Sequence, residues 1–150
     1  MADDYLAAGP AIIERLTALA TDAEAVYSTG DVATIALEDM LTPCLYVLYA
    51  GDAIQGGDSS RAGSGATQMV AQHWLVVVTV KFELSGEQAA ASMAQAGQLI
   101  GQVIEALSGW KPGESYRPMR RAGVGEPNLL PGYAEFPMLF ETQLITRAAS

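Results

Sequence analysis

The sequence predicts an α+β fold: one domain over residues 1–150, with a largely antiparallel sheet of about four to five strands. An N-terminal helix and one long helix pack on that sheet, and a long flexible hairpin arm leaves it. Three observations predict this. From Trp74 to Leu84, the residues Trp74, Val76, Val78, Val80, Phe82 and Leu84 alternate with Leu75, Val77, Thr79, Lys81 and Glu83, the period of two of a strand with a buried side. The second face is covered at one end and wet at the other. Between Glu87 and Ser108, Met93, Ala96, Gly97, Ile100, Val103, Ile104 and Leu107 recur at helical spacing. The 18 residues from Gly51 to Gln68 contain five glycines, and a segment this long between strands reads as an arm.

Taken in order, Pro10 suits a first helical turn, and Ile12, Ile13, Leu16, Leu19 and Ala20 follow at helical spacing, predicting a helix over about 10–21. Glu24 to Tyr27 reads as a short strand before a turn at Ser28-Thr29-Gly30. Asp31 is placed to cap a second short helix reaching about Met40. Cys44 to Ala50 is apolar on both alternating faces, as in an interior strand. The glycine-rich arm follows, preferred as a hairpin that orders against a neighbour. It does not end in the Gly-Lys-Ser/Thr of a phosphate cradle.

A strand over Met69 to Leu84 would span about 53 Å at ~3.3 Å per residue, so it is expected to bend, bulge or project at its less apolar end, Met69 to His73. Gly109 is placed to end the long helix, and Gly97-x-x-x-Gly101 would let its backbone approach the sheet closely. A strand around Arg117 to Ala122 is expected to pair with a final strand from Phe136 to Arg147, with Phe136, Met138, Phe140 and Leu144 on the buried face. Pro137 places the beginning of that strand at an edge.

Composition narrows the function classes. No apolar run approaches the roughly 20 residues of a membrane span, and the opening Met1-Ala2-Asp3-Asp4 is acidic, so a soluble chain without a signal peptide is expected. Cys44, the one cysteine, reads as a small buried hydrophobe. The net charge of −9 is uneven: residues 1–58 hold ten acids against Arg15 alone, while residues 59–150 hold seven acids and seven bases. An acidic front and a neutral back carrying Arg117, Arg120 and Arg121 suit head-to-tail contacts between copies or with a partner; a solvated acidic helix surface is the other reading. Binding to a phosphate backbone, which needs clustered Lys and Arg, is not supported.

Catalytic constellations are missing from the pattern. His73 is the lone histidine, with no metal spacing and no triad context, and no Gly-x-Ser-x-Gly elbow occurs. The adjacent carboxylates Glu38-Asp39 and Asp3-Asp4 point in different directions, as surface acids do. Arg120-Arg121 beside Gly123-x-Gly125 could grip a phosphate, but an interface salt bridge is the better reading. Trp74 and Trp110 read as packing residues. No enzyme activity, cofactor or metal is expected.

The order of elements and certain residues resemble those of the phage tail terminator family. The resemblance rests on Ile13-x-x-Leu16, on Pro43-x-Leu45-x-Val47 and its following glycine, and on Gln72-His73-Trp74-Leu75-Val76-Val77-Val78. It extends to Ala106-Leu107-Ser108-Gly109-Trp110-Lys111-Pro112 and to Tyr133 leading into the Phe140 strand. It covers nearly the whole chain, and the Leu-x-Gly-Trp-x-Pro close is its distinctive part. It implies a structural virion protein at the head-proximal end of the tail, assembled in the host cytoplasm. Such a protein caps the tail tube as a six-membered ring, ends tube polymerisation and offers its other side to a head-completion or neck protein. Its partners are then copies of itself, the major tail tube protein and the head-side protein, with DNA passing through the lumen without specific binding and no membrane involved. Another neck or tail-completion protein of the same fold is the alternative, with a small-molecule-binding α/β domain behind it. The contact regions expected on this reading are Gly51, Gly56, Gly57, Asp58, Arg61 and Gly65 in the arm, Gln72 and His73 on the long strand, and Arg117, Arg120 and Arg121.

Overall fold

Two long apolar strands organise the chain in the computed structural model, which describes residues 4–55, 66–82 and 86–149. The elements are α1 (Ala8–Leu19), β1 (Ala25–Tyr27), α2 (Thr29–Thr34), a 3-10 turn (Leu37–Asp39), β2 (Cys44–Gln55), β3 (Thr67–Lys81), α3 (Gly86–Leu107), β4 (Arg120–Val124), β5 (Asn128–Leu130) and β6 (Tyr133–Arg147). They form one six-stranded sheet in the order β1-β2-β3-β6-β4, with β5 also pairing β6. β1 runs parallel to β2 and every other pairing is antiparallel. The α+β class holds; the expected short strand at Glu24 to Tyr27 is β1, and the three-residue β5 raises the count to six.

β3 pairs with β6 along its whole 15 residues, from Thr67 opposite Arg147 to Lys81 opposite Tyr133. The predicted alternation decides which face is covered. Trp74, Val76, Val78 and Val80 join Leu45, Val47, Met138 and Phe140 beneath Ile12 and Leu16 of α1 and Leu99, Val103 and Leu107 of α3, all buried. Each such side chain contributes roughly 1.5–3 kcal/mol when taken out of water. The two long helices therefore close one face of the sheet.

Several local expectations are corrected. The second helix starts at Thr29, because Ser28 is its cap: the Ser28 hydroxyl accepts from Asp31 N (3.2 Å), and Asp31 Oδ2 accepts from Ser28 N (2.9 Å). Asp31 is thus the third residue of a capping box, and the helix ends at Thr34 instead of reaching Met40. β2 continues past Ala50 to Gln55 and absorbs the start of the expected arm; residues 56–65 lie outside the described residues. The bend expected in β3 is found in β2, where the register shifts between Tyr49 and Asp52 around Gly51, whose φ of +94° suits glycine. Val70, Ala71 and Gln72 are buried, so the polar end of β3 does not project.

The helix stripe is also displaced. Leu99 and Ala106 face the core, while Met93 and Gly97 are exposed, and a Cβ added at Gly97 or Gly101 would meet nothing within 4 Å. Between helix and sheet the close approach is at Gly9 of α1, where a Cβ would stand 2.9 Å from the Trp74 ring. Pro137 is not at the start of an edge strand. It is the fifth residue of β6, in the gap where β5 has ended at Glu135 and β4 has not yet begun at Met138, so the ladder on that side is already interrupted at the residue lacking an N–H. β4 begins at Arg120, because Arg117 and Met119 make irregular bonds first: Arg117 N donates to Gln143 O (2.8 Å) and Met119 N to Trp110 O (2.8 Å).

Candidate interaction surfaces

The residues expected at interfaces separate into three environments. Gly56, Gly57, Asp58, Arg61 and Gly65 lie outside the described residues. Gln72 is an interior residue: fully buried on the helix side, it accepts from Trp74 Nε1 at Oε1 (2.9 Å), and its Nε2 donates to Tyr5 O (2.6 Å). Its polarity serves Trp74 and the N-terminal segment, which corrects its place among the contact residues. Gly51 sits at the β2 bulge. Of the remaining four, His73 and Arg120 meet on one face across β3, β6 and β4, Arg121 is on the helix side of β4, and Arg117 lies in the segment entering β4.

Glu141, which the sequence analysis did not single out, joins two of them, His73 and Arg120. Register explains the meeting: His73, Glu141 and Arg120 are consecutive partners across β3, β6 and β4, so their side chains share the face opposite α1 and α3. The buried Glu141 carboxylate lies 3.2 Å from Arg120 Nη2 and 3.5 Å from His73 Nε2. It also accepts from Gln143 Nε2 (3.4 Å), which donates in turn to Gln55 Oε1 (2.7 Å). A carboxylate taken out of water needs such partners. Arg120 is therefore engaged within its own chain, whereas Arg117 and Arg121 are exposed and have no carboxylate partner among the described residues. A recess of about 240 Å³ lies between Arg117, Pro118, Arg120, Glu141, Thr142 and Gln143. A wider groove of about 760 Å³ runs past Tyr5, Gly113, Tyr116, Ile145 and Arg147.

The same open face carries a second feature that only register reveals. Leu48 of β2 pairs with Leu75 of β3, which pairs with Leu139 of β6, so three half-buried leucines form one row across the sheet. At the far end the face is closed. Cys44 is fully buried there and burial pushes its thiol up to about 11, while Tyr46, which donates to Glu135, is raised above the usual phenol range by the same desolvation. Neither group is poised to react.

Trp74 and Trp110 are packing residues. Trp74 tilts against Tyr49 at 5.1 Å, and the Arg15 guanidinium stands 5.4 Å from the Trp110 ring centroid. Arg15 Nε also donates to Ala106 O (2.9 Å), binding α1 to the end of α3. Gly109, at φ +77°, turns the chain out of α3, and its N–H bonds Met119 O at 2.8 Å. The Leu107-to-Pro112 motif is therefore the stop of the long helix and the anchor of the segment leading to β4.

Among the described residues no three His, Cys, Asp or Glu side chains are grouped so as to hold a metal ion, and no helix is long and apolar enough to cross a membrane. The features of the described surface are an open sheet face, two grooves and a charged edge, which suit contact with other proteins. No curated protein matches the chain significantly. The family model described as phage tail terminator protein matches residues 1–150, the whole chain. The chain belongs to the phage tail terminator family, whose members are structural proteins of the virion tail.

Proposed function

We propose that this chain caps the head-proximal end of the tail tube as a six-membered ring, ends tube polymerisation and presents its other side to a head-completion or neck protein. The observation that carries this reading is the family match over all 150 residues. The open sheet face supports it: the Leu48, Leu75 and Leu139 row is apolar surface on the side of the sheet away from α1 and α3. The net charge of −9 suits a passage through which DNA slides without sticking, since acidic walls repel phosphates. No step in this role requires a reaction or a cofactor.

The test is tube length. Purified chain added to growing tubes of the tail tube protein is expected to arrest them at lengths that shorten as its concentration rises. Tubes that elongate at the control rate overturn the proposal. Capture of the head-side protein alone, with tubes unaffected, assigns the chain to another position in the neck.

A further inference from the structure

The sheet ends in two unpaired edges of opposite charge at the same height. On one side β1 pairs only with Cys44, Leu45 and Tyr46, so residues 47–55 of β2 have no strand partner on their outer edge among the described residues. On the other side β4 is the last strand. Register links the two: Arg121 of β4 is opposite Phe140, which is opposite Trp74, which is opposite Tyr49. β4 is therefore level with the free part of β2. Each long strand is antiparallel to the next, from β2 through β3 and β6 to β4, so β4 runs opposite to β2.

We propose that copies of this chain join edge to edge, β4 of one subunit lying antiparallel along residues 47–55 of β2 in the next. This contact rests on the ring reading above and specifies the surface that forms it. Because both edges stand at one height, a rotation without rise brings them together, and repeated rotation without rise closes a ring instead of growing a fibre. Antiparallel pairing of exposed edges supplies main-chain hydrogen bonds, and side chains set the register.

The charges select this pairing over edge-to-edge contact of like edges. Asp52 is exposed and opposite Gln72, and thus on the helix side of the sheet; Arg121, opposite Phe140, is on that same side. Arg117, bonded through its N–H to Gln143 O, stands at the level of Ala71 and Ala53, so the row of Asp52 lies between those of the two arginines. Asp22, Glu24, Glu38 and Asp39, around β1, are exposed as well, and the single base of residues 1–58, Arg15, is occupied at Trp110. Glu114 and Glu126 are the exposed acids nearest to this arginine edge in the chain. Two β1-β2 edges would therefore repel, while β4 against β2 sets arginines with no carboxylate partner among the described residues on Asp52, which accepts from the neutral Tyr5 hydroxyl and has no cation beside it there. Both edges also bulge beside this row, between Tyr49 and Asp52 and between Arg121 and Gly123, so two bent edges meet at the same level.

The experiment is a charge swap read by native mass over a concentration series. Asp52→Arg and Arg121→Glu, each alone, are expected to raise the concentration needed for assembly about tenfold or more. The two single variants mixed one to one, and the Asp52→Arg/Arg121→Glu chain, are expected to assemble within about threefold of wild type, because every contact is again complementary. Single variants that assemble like wild type, or a swap that rescues nothing, overturn the pairing and show that these charges only guard the edges. A wild-type chain that is monomeric at every concentration also overturns it. The tube-length assay is read separately, so rings or capping that survive these outcomes leave the proposed function standing with a different contact.

Discussion

The two faces of the sheet are built from the same strands and differ in what covers them. On one, Trp74, Val76, Val78, Met138 and Phe140 lie under α1 and α3 and are almost wholly shut from water. On the other, a residue away along each strand, Leu48, Leu75 and Leu139 are half-buried and Glu141 gathers His73 and Arg120. The alternation of a strand thus sends one set of residues to stability and leaves the adjacent set open for the contact proposed above. A stability measurement and an assembly measurement are expected to rank the two sets in opposite orders.

The largest stability loss is expected at the covered face. Phe140→Ala removes a fully buried ring from between the helices and the sheet, at a cost of about 3–5 kcal/mol, read as a lowered midpoint in denaturant without a change of slope. Gly9→Val comes next. Its Cβ would stand 2.9 Å from the Trp74 ring, and since Trp74 is held by Gln72 and packed on Tyr49, the overpacking is expected to cost about 1–3 kcal/mol. If Gly9→Val is neutral, α1 can slide on the sheet and that face is looser than its packing indicates.

At the closed end of the open face, Cys44 offers a pH test. Burial raises its thiol to about 11, above the roughly 8.5 of an unfolded chain, so the folded state holds the proton more tightly. Its contribution is then fully present below about pH 8.5 and is lost as pH rises toward 11. This thiol is expected to lower stability across that window by no more than about 3–4 kcal/mol, and between about pH 8.5 and 10, below the titration of the raised Tyr46 phenol, the fall is expected to vanish in Cys44→Ala. At pH 8 the native thiol is expected to resist alkylation until the chain unfolds.

Those sites show which parts of the structure the sequence makes legible. Period-two alternation identified the covered face of β3 and β6, because burial of one side writes itself directly into the order of residues. Helix ends were legible where a single residue type is required, as at Gly109. Close approach was not, because it belongs to pairs of elements: Gly97 and Gly101 look suited to it and meet open space, whereas Gly9 meets Trp74, 65 positions away by sequence number. Glu141 was missed for the same reason. Its partners come from β3 and β4, and nothing local marks it until register sets His73 and Arg120 beside it. Pro137 misled because a proline's usual place at an edge is a rule about missing ladder partners, and β6 supplies such a gap in its interior.

Glu141→Gln, an intermediate case, retains an acceptor for Arg120 and Gln143 but loses the charge, and is expected to cost about 1 kcal/mol, since Arg120 is largely exposed and can return to water. A loss as large as that of Phe140→Ala would mean the polar cluster holds the sheet together instead of shaping its surface.

Leu75→Ser with Leu139→Ser is expected to leave the fold largely intact, and it separates the faces most sharply. Both side chains are half-buried, so truncating them forfeits only part of the area that a core leucine buries, and the serine hydroxyls remain within reach of water. Together they are expected to cost about 1–2 kcal/mol, less than Phe140→Ala alone. A row of leucines that serves only the fold gains nothing from being left half-open, whereas a row that meets another protein must be open in the free chain. The double variant is therefore expected to fold with a near-native thermal midpoint and yet to lose arrest of tube growth. If it arrests tubes at wild-type concentrations, the open face is not where the tube sits, and that contact belongs elsewhere on the chain.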